Sequence, residues 1–116
     1  MTGKIWVAVG LAGLIGTTGC ASKYVEAVVR NETGATVSLV EVDYPSASFG
    51  TETLAAGAEY HYRFKILGSG ATKVIWTDSA RKEHTVAGPE LKEGEQGRVT
   101  ITLTDGNAGW DVQILP

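Results

Sequence analysis

From residue 24 onward, apolar and polar positions alternate almost without a break, and no window carries apolar residues at i, i+3, i+4 and i+7 for long enough to make a helix. A period of two is the mark of a strand, whose successive side chains leave on opposite faces. Segment 24–31 places Val25, Ala27 and Val29 on one face, with Glu26 and Arg30 on the other. Glu32 to Ala35 reads as a turn, since Gly34 tolerates a positive φ. In 36–44, Val40, Val42 and Tyr44 alternate with Glu41 and Asp43, while Val37 and Leu39 are out of phase. A β-bulge near Ser38 to Val40 resolves the mismatch, as does burial on both faces. Pro45 ends that strand, and a small-residue loop to Gly50 leads to a short strand at Thr51 to Leu54.

The second half continues in the same way. Segment 58–66 sets Tyr60, Tyr62, Phe64 and Ile66 against Glu59, His61, Arg63 and Lys65, and 72–78 points Val74 and Trp76 inward. A polar turn at 79–83 precedes a short strand at 84–87, which ends at Gly88-Pro89, and an acidic loop follows to residue 97. Segment 98–105 alternates Val99, Ile101 and Leu103 with Arg98 and threonines. Asp105-Gly106-Asn107 then turns the chain into 109–115, with Trp110, Val112 and Ile114 inward.

Seven to eight short strands at this spacing predict an all-β fold, an antiparallel immunoglobulin-like β-sandwich, with a small closed barrel as the alternative. The Cys-Trp-Cys signature of antibody domains is absent, so the likeness is one of architecture. The expected core is Val25, Val29, Val42, Tyr62, Phe64, Val74, Trp76, Val99, Ile101, Leu103, Trp110, Val112 and Ile114. A lipid-facing barrel is excluded, because the outer faces of these strands carry Glu, Lys and Arg.

The first twenty residues have a different pattern. Lys4 precedes an apolar run from Ile5 to Ile15, followed by small residues up to Cys20. Eleven apolar residues are too few to span a bilayer core, which takes about 20 in a helix. A positive residue, a short apolar run and small residues form a secretory signal peptide. The run is expected to be a hydrophobic signal helix ahead of the sandwich. Thr17-Thr18-Gly19-Cys20 resembles the lipobox of bacterial lipoproteins, with Thr17 where that class has an aliphatic residue. The resemblance implies cleavage before Cys20 and attachment of a diacylglycerol thioether and an N-terminal acyl chain to it. Residues 1–19 are then a lipoprotein signal peptide, 20–23 a lipidated N-terminus and short tether, and 24–116 the sandwich domain. Ala21 behind the cysteine implies sorting to the outer membrane in a host with two membranes. Ordinary cleavage after Ala21, giving a secreted or periplasmic soluble protein, is the alternative.

Composition sharpens this reading. Cys20 is the single cysteine, so no intrachain disulfide forms, and acylation would consume a thiol otherwise exposed to oxidation. With 43% apolar and 20% charged residues the chain is globular in character, and a net charge of −3 gives no electrostatic footprint for nucleic acid. No cofactor motif is present: Gly68-Ser69-Gly70 lacks the helix and lysine of a phosphate cradle.

Candidate chemistry is sparse. No serine sits in a nucleophile elbow, and His61 and His84 are the only histidines, each on the polar side of an expected strand, so an enzyme is not expected. A metal-binding module using His61 and His84 is the alternative reading, and it requires the fold to bring them together. Glu41 and Asp43 share one strand face and, with Asp78 or Asp105, would suit a hard cation. Tyr44 and Phe49 flank a run of small residues. They either recognise an envelope protein or glycan, or fold back as a lid over the open end of the core. The resulting expectation is a membrane-anchored envelope lipoprotein with a binding or structural domain.

Overall fold

A computed structural model describes residues 24–115, so the apolar leader, Cys20 and the expected signal helix lie outside the described residues. The described chain forms eight strands: β1 (Val25–Asn31), β2 (Val37–Tyr44), β3 (Ala47–Leu54), β4 (Glu59–Phe64), β5 (Lys73–Thr77), β6 (Glu83–Ala87), β7 (Gly97–Thr104) and β8 (Asn107–Ile114). They make two four-stranded sheets, ordered β4-β1-β7-β8 and β3-β2-β5-β6, which is the expected sandwich rather than a closed barrel. Across the sandwich β3 meets β4 along one side and β6 meets β8 along the other. The order departs from the immunoglobulin constant domain, where the first two strands share a sheet. Here β1 and β2 lie in different sheets, and β1 runs parallel to β7, so the sheets are not wholly antiparallel. The immunoglobulin analogy holds for the layers and not for the connections.

Local chemistry sets the turns. Asp105-Gly106 joins β7 to β8 with Thr104 paired to Asn107, and Gly106 takes φ +72°. Pro45-Ser46 joins β2 to β3, with Tyr44 paired to Ala47. The loop expected from Pro45 to Gly50 is therefore only a two-residue turn, and Phe49 stands in a strand. Ala47 and Ser48 have little strand propensity of their own, but the adjoining ladder of β2 supplies the pairing.

The phase slip in β2 is a bulge. Register against β5 shifts between Ser38 and Glu41, and Leu39 adopts φ +52°, a conformation leucine rarely takes. Val37 and Val40 thereby both reach the core, while Leu39 turns outward and is 64% exposed. Gly50 lies opposite, where a Cβ would stand 1.9 Å from the Val40 carbonyl oxygen. Only glycine fits that approach.

Val25, Val29, Val74, Trp76, Ile101 and Leu103 are wholly buried at the centre, as the pattern predicts. Phe49, Leu54, Ile66 and Leu91 join them. Four expected core residues differ. Tyr62 on edge strand β4 is exposed, and Trp110, Val112 and Ile114 on edge strand β8 are half-buried. An edge strand has a neighbour on one side only, so its inward side chains keep an open flank.

Candidate functional site

Tyr44 and Phe49 both pack inward against β4 of the other sheet, along the side of the sandwich rather than over an open end. Tyr44 ends β2 and its ring centroid is 4.2 Å from that of Phe64 on β4 in the other sheet. Phe49 stacks on Tyr62, with centroids 4.5 Å apart and planes 13° from parallel. These contacts close the side of the sandwich between β3 and β4. Phe49 is only 7% exposed, so its ring is spent on the core rather than presented to a partner. Burial raises the Tyr44 phenol above its ordinary pKa, with the Tyr62 phenol adding to the shift. The solvent-facing member of this cluster is Tyr62, which the sequence pattern had placed in the core.

The carboxylates divide between the two ends of the sandwich. Glu41 and Asp43 point outward from β2, and Lys73 Nζ lies 3.8 Å from Asp43 Oδ2. Asp43, by hydrogen bonding first and by its charge second, raises the Glu41 carboxyl above its ordinary range, with Lys73 opposing. Asp78 follows β5 and Asp105 follows β7, at the end away from Asp43. The expected grouping of Glu41 and Asp43 with Asp78 or Asp105 therefore does not form. Among the described residues no group of three or more His, Cys, Asp or Glu side chains is placed to hold a metal.

The two histidines also stay apart. His61 lies on the outer face of β4, with Nε2 3.1 Å from Glu59 Oε1, while Arg30 Nε donates to Glu59 Oε2 at 2.8 Å. His61, and then Arg30, hold the Glu59 carboxyl below its ordinary range against the opposing effect of burial. His84 lies on β6 with its ring 5.2 Å from that of Trp76 and its Nε2 2.7 Å from Asp78 Oδ2. Asp78 Oδ1 accepts from the amides of Ala80 and Lys82 at 2.8 and 2.9 Å, so one carboxylate closes the β5–β6 turn and ties it to β6. These bonds, that to His84 above all, lower the Asp78 pKa. Strands β4 and β6 edge different sheets on opposite sides of the sandwich. A single site built from both histidines is incompatible with that topology, so the joint metal reading is set aside.

No protein-family model matches the chain, and no curated protein matches it. Its fold is similar to that of the NMR structure of a protein from Eubacterium rectale, with a TM-score of 0.54, 15% identity, and coverage of 82% of this chain and 91% of that one. The likeness is one of fold.

The most heavily bonded polar side chain escaped the pattern reading. Asn31 ends β1 fully buried. Its Nδ2 donates to the carbonyls of Ala35 and Leu54 at 2.7 and 2.8 Å, and its Oδ1 accepts from the Thr33 amide and hydroxyl at 3.0 and 2.7 Å. The signal was present as Asn31-Glu32-Thr33-Gly34, in which an Asn side chain can cap a turn two residues on.

Proposed function

We propose that this chain is a small lipoprotein of the cell envelope, anchored through Cys20, whose immunoglobulin-like sandwich is a binding or structural module and not an enzyme. The observation that carries the reading is the order of parts along the chain: Lys4, an apolar run too short to span, Thr18-Gly19-Cys20, and a folded domain whose first strand begins at Val25. Several acyl chains on Cys20 hold such a domain stably, whereas one alone is marginal. Ala21 behind the cysteine favours the outer membrane where the host has two.

The non-catalytic part of the reading is supported by the partners of the two histidines: His84 Nε2 bonds Asp78 and His61 Nε2 bonds Glu59, and among the described residues no Ser, Thr or Tyr hydroxyl is hydrogen-bonded to either ring. A general base must lie within hydrogen-bond reach of a nucleophile's proton.

Growth with an alkyne fatty acid, followed by coupling to a fluorophore, tests the anchor. The wild-type chain takes up label and the Cys20→Ala chain does not. An unlabelled wild type, or a Cys20→Ala chain that still labels, overturns the proposal.

A further inference from the structure

The end of the sandwich from which the chain leads back toward Cys20 has its own surface chemistry. Five large apolar side chains are exposed among the described residues, and three of them, Tyr24, Leu67 and Leu115, lie at this end. The backbone places them along one rim. Val25 pairs with Phe64 and with Gly97, the Gly97 amide donates to the Tyr24 carbonyl at 3.2 Å, and the Leu115 amide donates to the Gln96 carbonyl at 2.8 Å. The rim of the first sheet therefore runs from Lys65 through Tyr24 and Gln96 to Leu115, about 14 Å at the usual strand spacing. Leu67 projects from the loop after β4, at 66% exposure.

Two cations accompany these side chains. Arg63 Cζ lies 4.6 Å and Lys65 Nζ 5.6 Å from the centre of the Tyr24 ring. Neither Arg63 nor Lys65 is in an ion pair among the described residues, and both stand over the Tyr24 ring. Aromatic rings and long cationic side chains suit the headgroup level of a bilayer, and leucines suit the acyl boundary beneath it. Glu93, Glu95 and Lys92 of the adjoining loop line the same open hollow as Leu115, and Glu95 Oε1 accepts from the Lys92 amide at 2.8 Å, so the acids stand at the Leu115 end of the rim and the two cations at the Tyr24 end.

We infer that this rim is a lipid-contact face, with Leu67, Leu115 and Tyr24 entering the membrane boundary and Arg63 and Lys65 meeting lipid phosphates. The inference rests on the Cys20 anchor proposed above. Distance supports it: the four residues from Cys20 to Tyr24 reach at most about 14 Å, so an acylated Cys20 keeps this end near the bilayer and puts the far end of the sandwich out of reach. The domain then stands on this rim with the Asp78 and Asp105 turns directed away from the membrane.

The test uses the full chain purified from membranes and reconstituted into vesicles of phosphatidylethanolamine and phosphatidylglycerol. Cys20 is blocked by acylation, so single Leu67→Cys, Leu115→Cys and Leu39→Cys variants each take one nitroxide label. Leu39 is the control, since it is 64% exposed but five residues up β2 from Tyr44, about 17 Å along the strand. Labels at 67 and 115 are expected to relax with dissolved oxygen and resist an aqueous nickel chelate, at a depth of roughly 5–10 Å below the lipid phosphates. The label at 39 is expected to relax with the chelate. Equal aqueous access at all three positions, in protein whose mass shows acylated Cys20, overturns the lipid-contact face and leaves the anchor standing. A mass showing no acyl group overturns both.

Discussion

Asn31 Nδ2 donates to the Leu54 carbonyl at 2.8 Å, a bond from the last residue of β1 to the last residue of β3 in the opposite sheet. With the Asn31 amide donating to Ala58 and its carbonyl accepting from Gly57, one fully buried residue fastens the strand crossing at this end of the sandwich. A buried amide with all its partners met stabilises, and removing it leaves those partners unmet. Asn31→Ala is therefore expected to cost about 2–4 kcal/mol, read from urea unfolding midpoints with an unchanged slope. A loss within about 0.5 kcal/mol, the range of ordinary surface substitutions, contradicts this role.

The bulge gives a pair of opposite expectations. Gly50→Ala drives a methyl into the Val40 carbonyl, so β2 and β3 must separate, at a cost of about 2 kcal/mol or more. Leu39→Gly removes an exposed side chain and relieves a left-handed conformation, so stability is expected to hold or rise by up to about 1 kcal/mol. Thermal melts of the two variants check both signs. Equal destabilisation by the two contradicts the bulge.

Acid sensitivity is expected at the β5–β6 turn. His84 and two amides hold the Asp78 carboxyl below its ordinary value of 3.8. An acid whose pKa is lowered on folding stabilises fully above its unfolded value, and that stabilisation fades as pH falls through the folded value. Asp78→Asn should therefore be less stable than wild type at neutral pH, and the gap should close below pH 3.8. Denaturant midpoints across the acid range measure it, and a gap independent of pH contradicts it.

Glu41 carries the opposite sign. Asp43 raises its carboxyl above the ordinary value of 4.5, so the folded state holds that proton more tightly than the unfolded chain does. Stability tied to Glu41 is present below 4.5 and is lost as pH rises through the raised value. Glu41→Gln is expected to stabilise the protein slightly at neutral pH and to have no effect in acid, by the same measurement. Destabilisation at neutral pH contradicts it.

The strands themselves were legible because their inward faces hold unbroken apolar alternation, as in Val99, Ile101 and Leu103. The bulge was legible too, since Val37 and Leu39 are out of step with Val40 and Val42. What alternation cannot carry is position within a sheet. Tyr62 follows the same period as Phe64 on the same edge strand, yet Tyr62 is exposed and Phe64 is buried beneath Tyr44 and Phe49, a cover supplied by segments distant in sequence. Nor did the period show the parallel pairing of β1 with β7, which sets β1 and β2 in different sheets. The inward packing of Tyr44 and Phe49 is met by rings from another strand, Phe64 and Tyr62, which spacing along the chain does not show. The separation of His61 from His84 is likewise a property of sheet order rather than of spacing.

Anchoring through Cys20 is tested most directly by the intact mass of the protein extracted from membranes. The expected species lacks residues 1–19 and carries a diacylglyceryl group and an acyl chain on Cys20. A species that retains Met1 with a free thiol, or one that begins after Ala21, contradicts it.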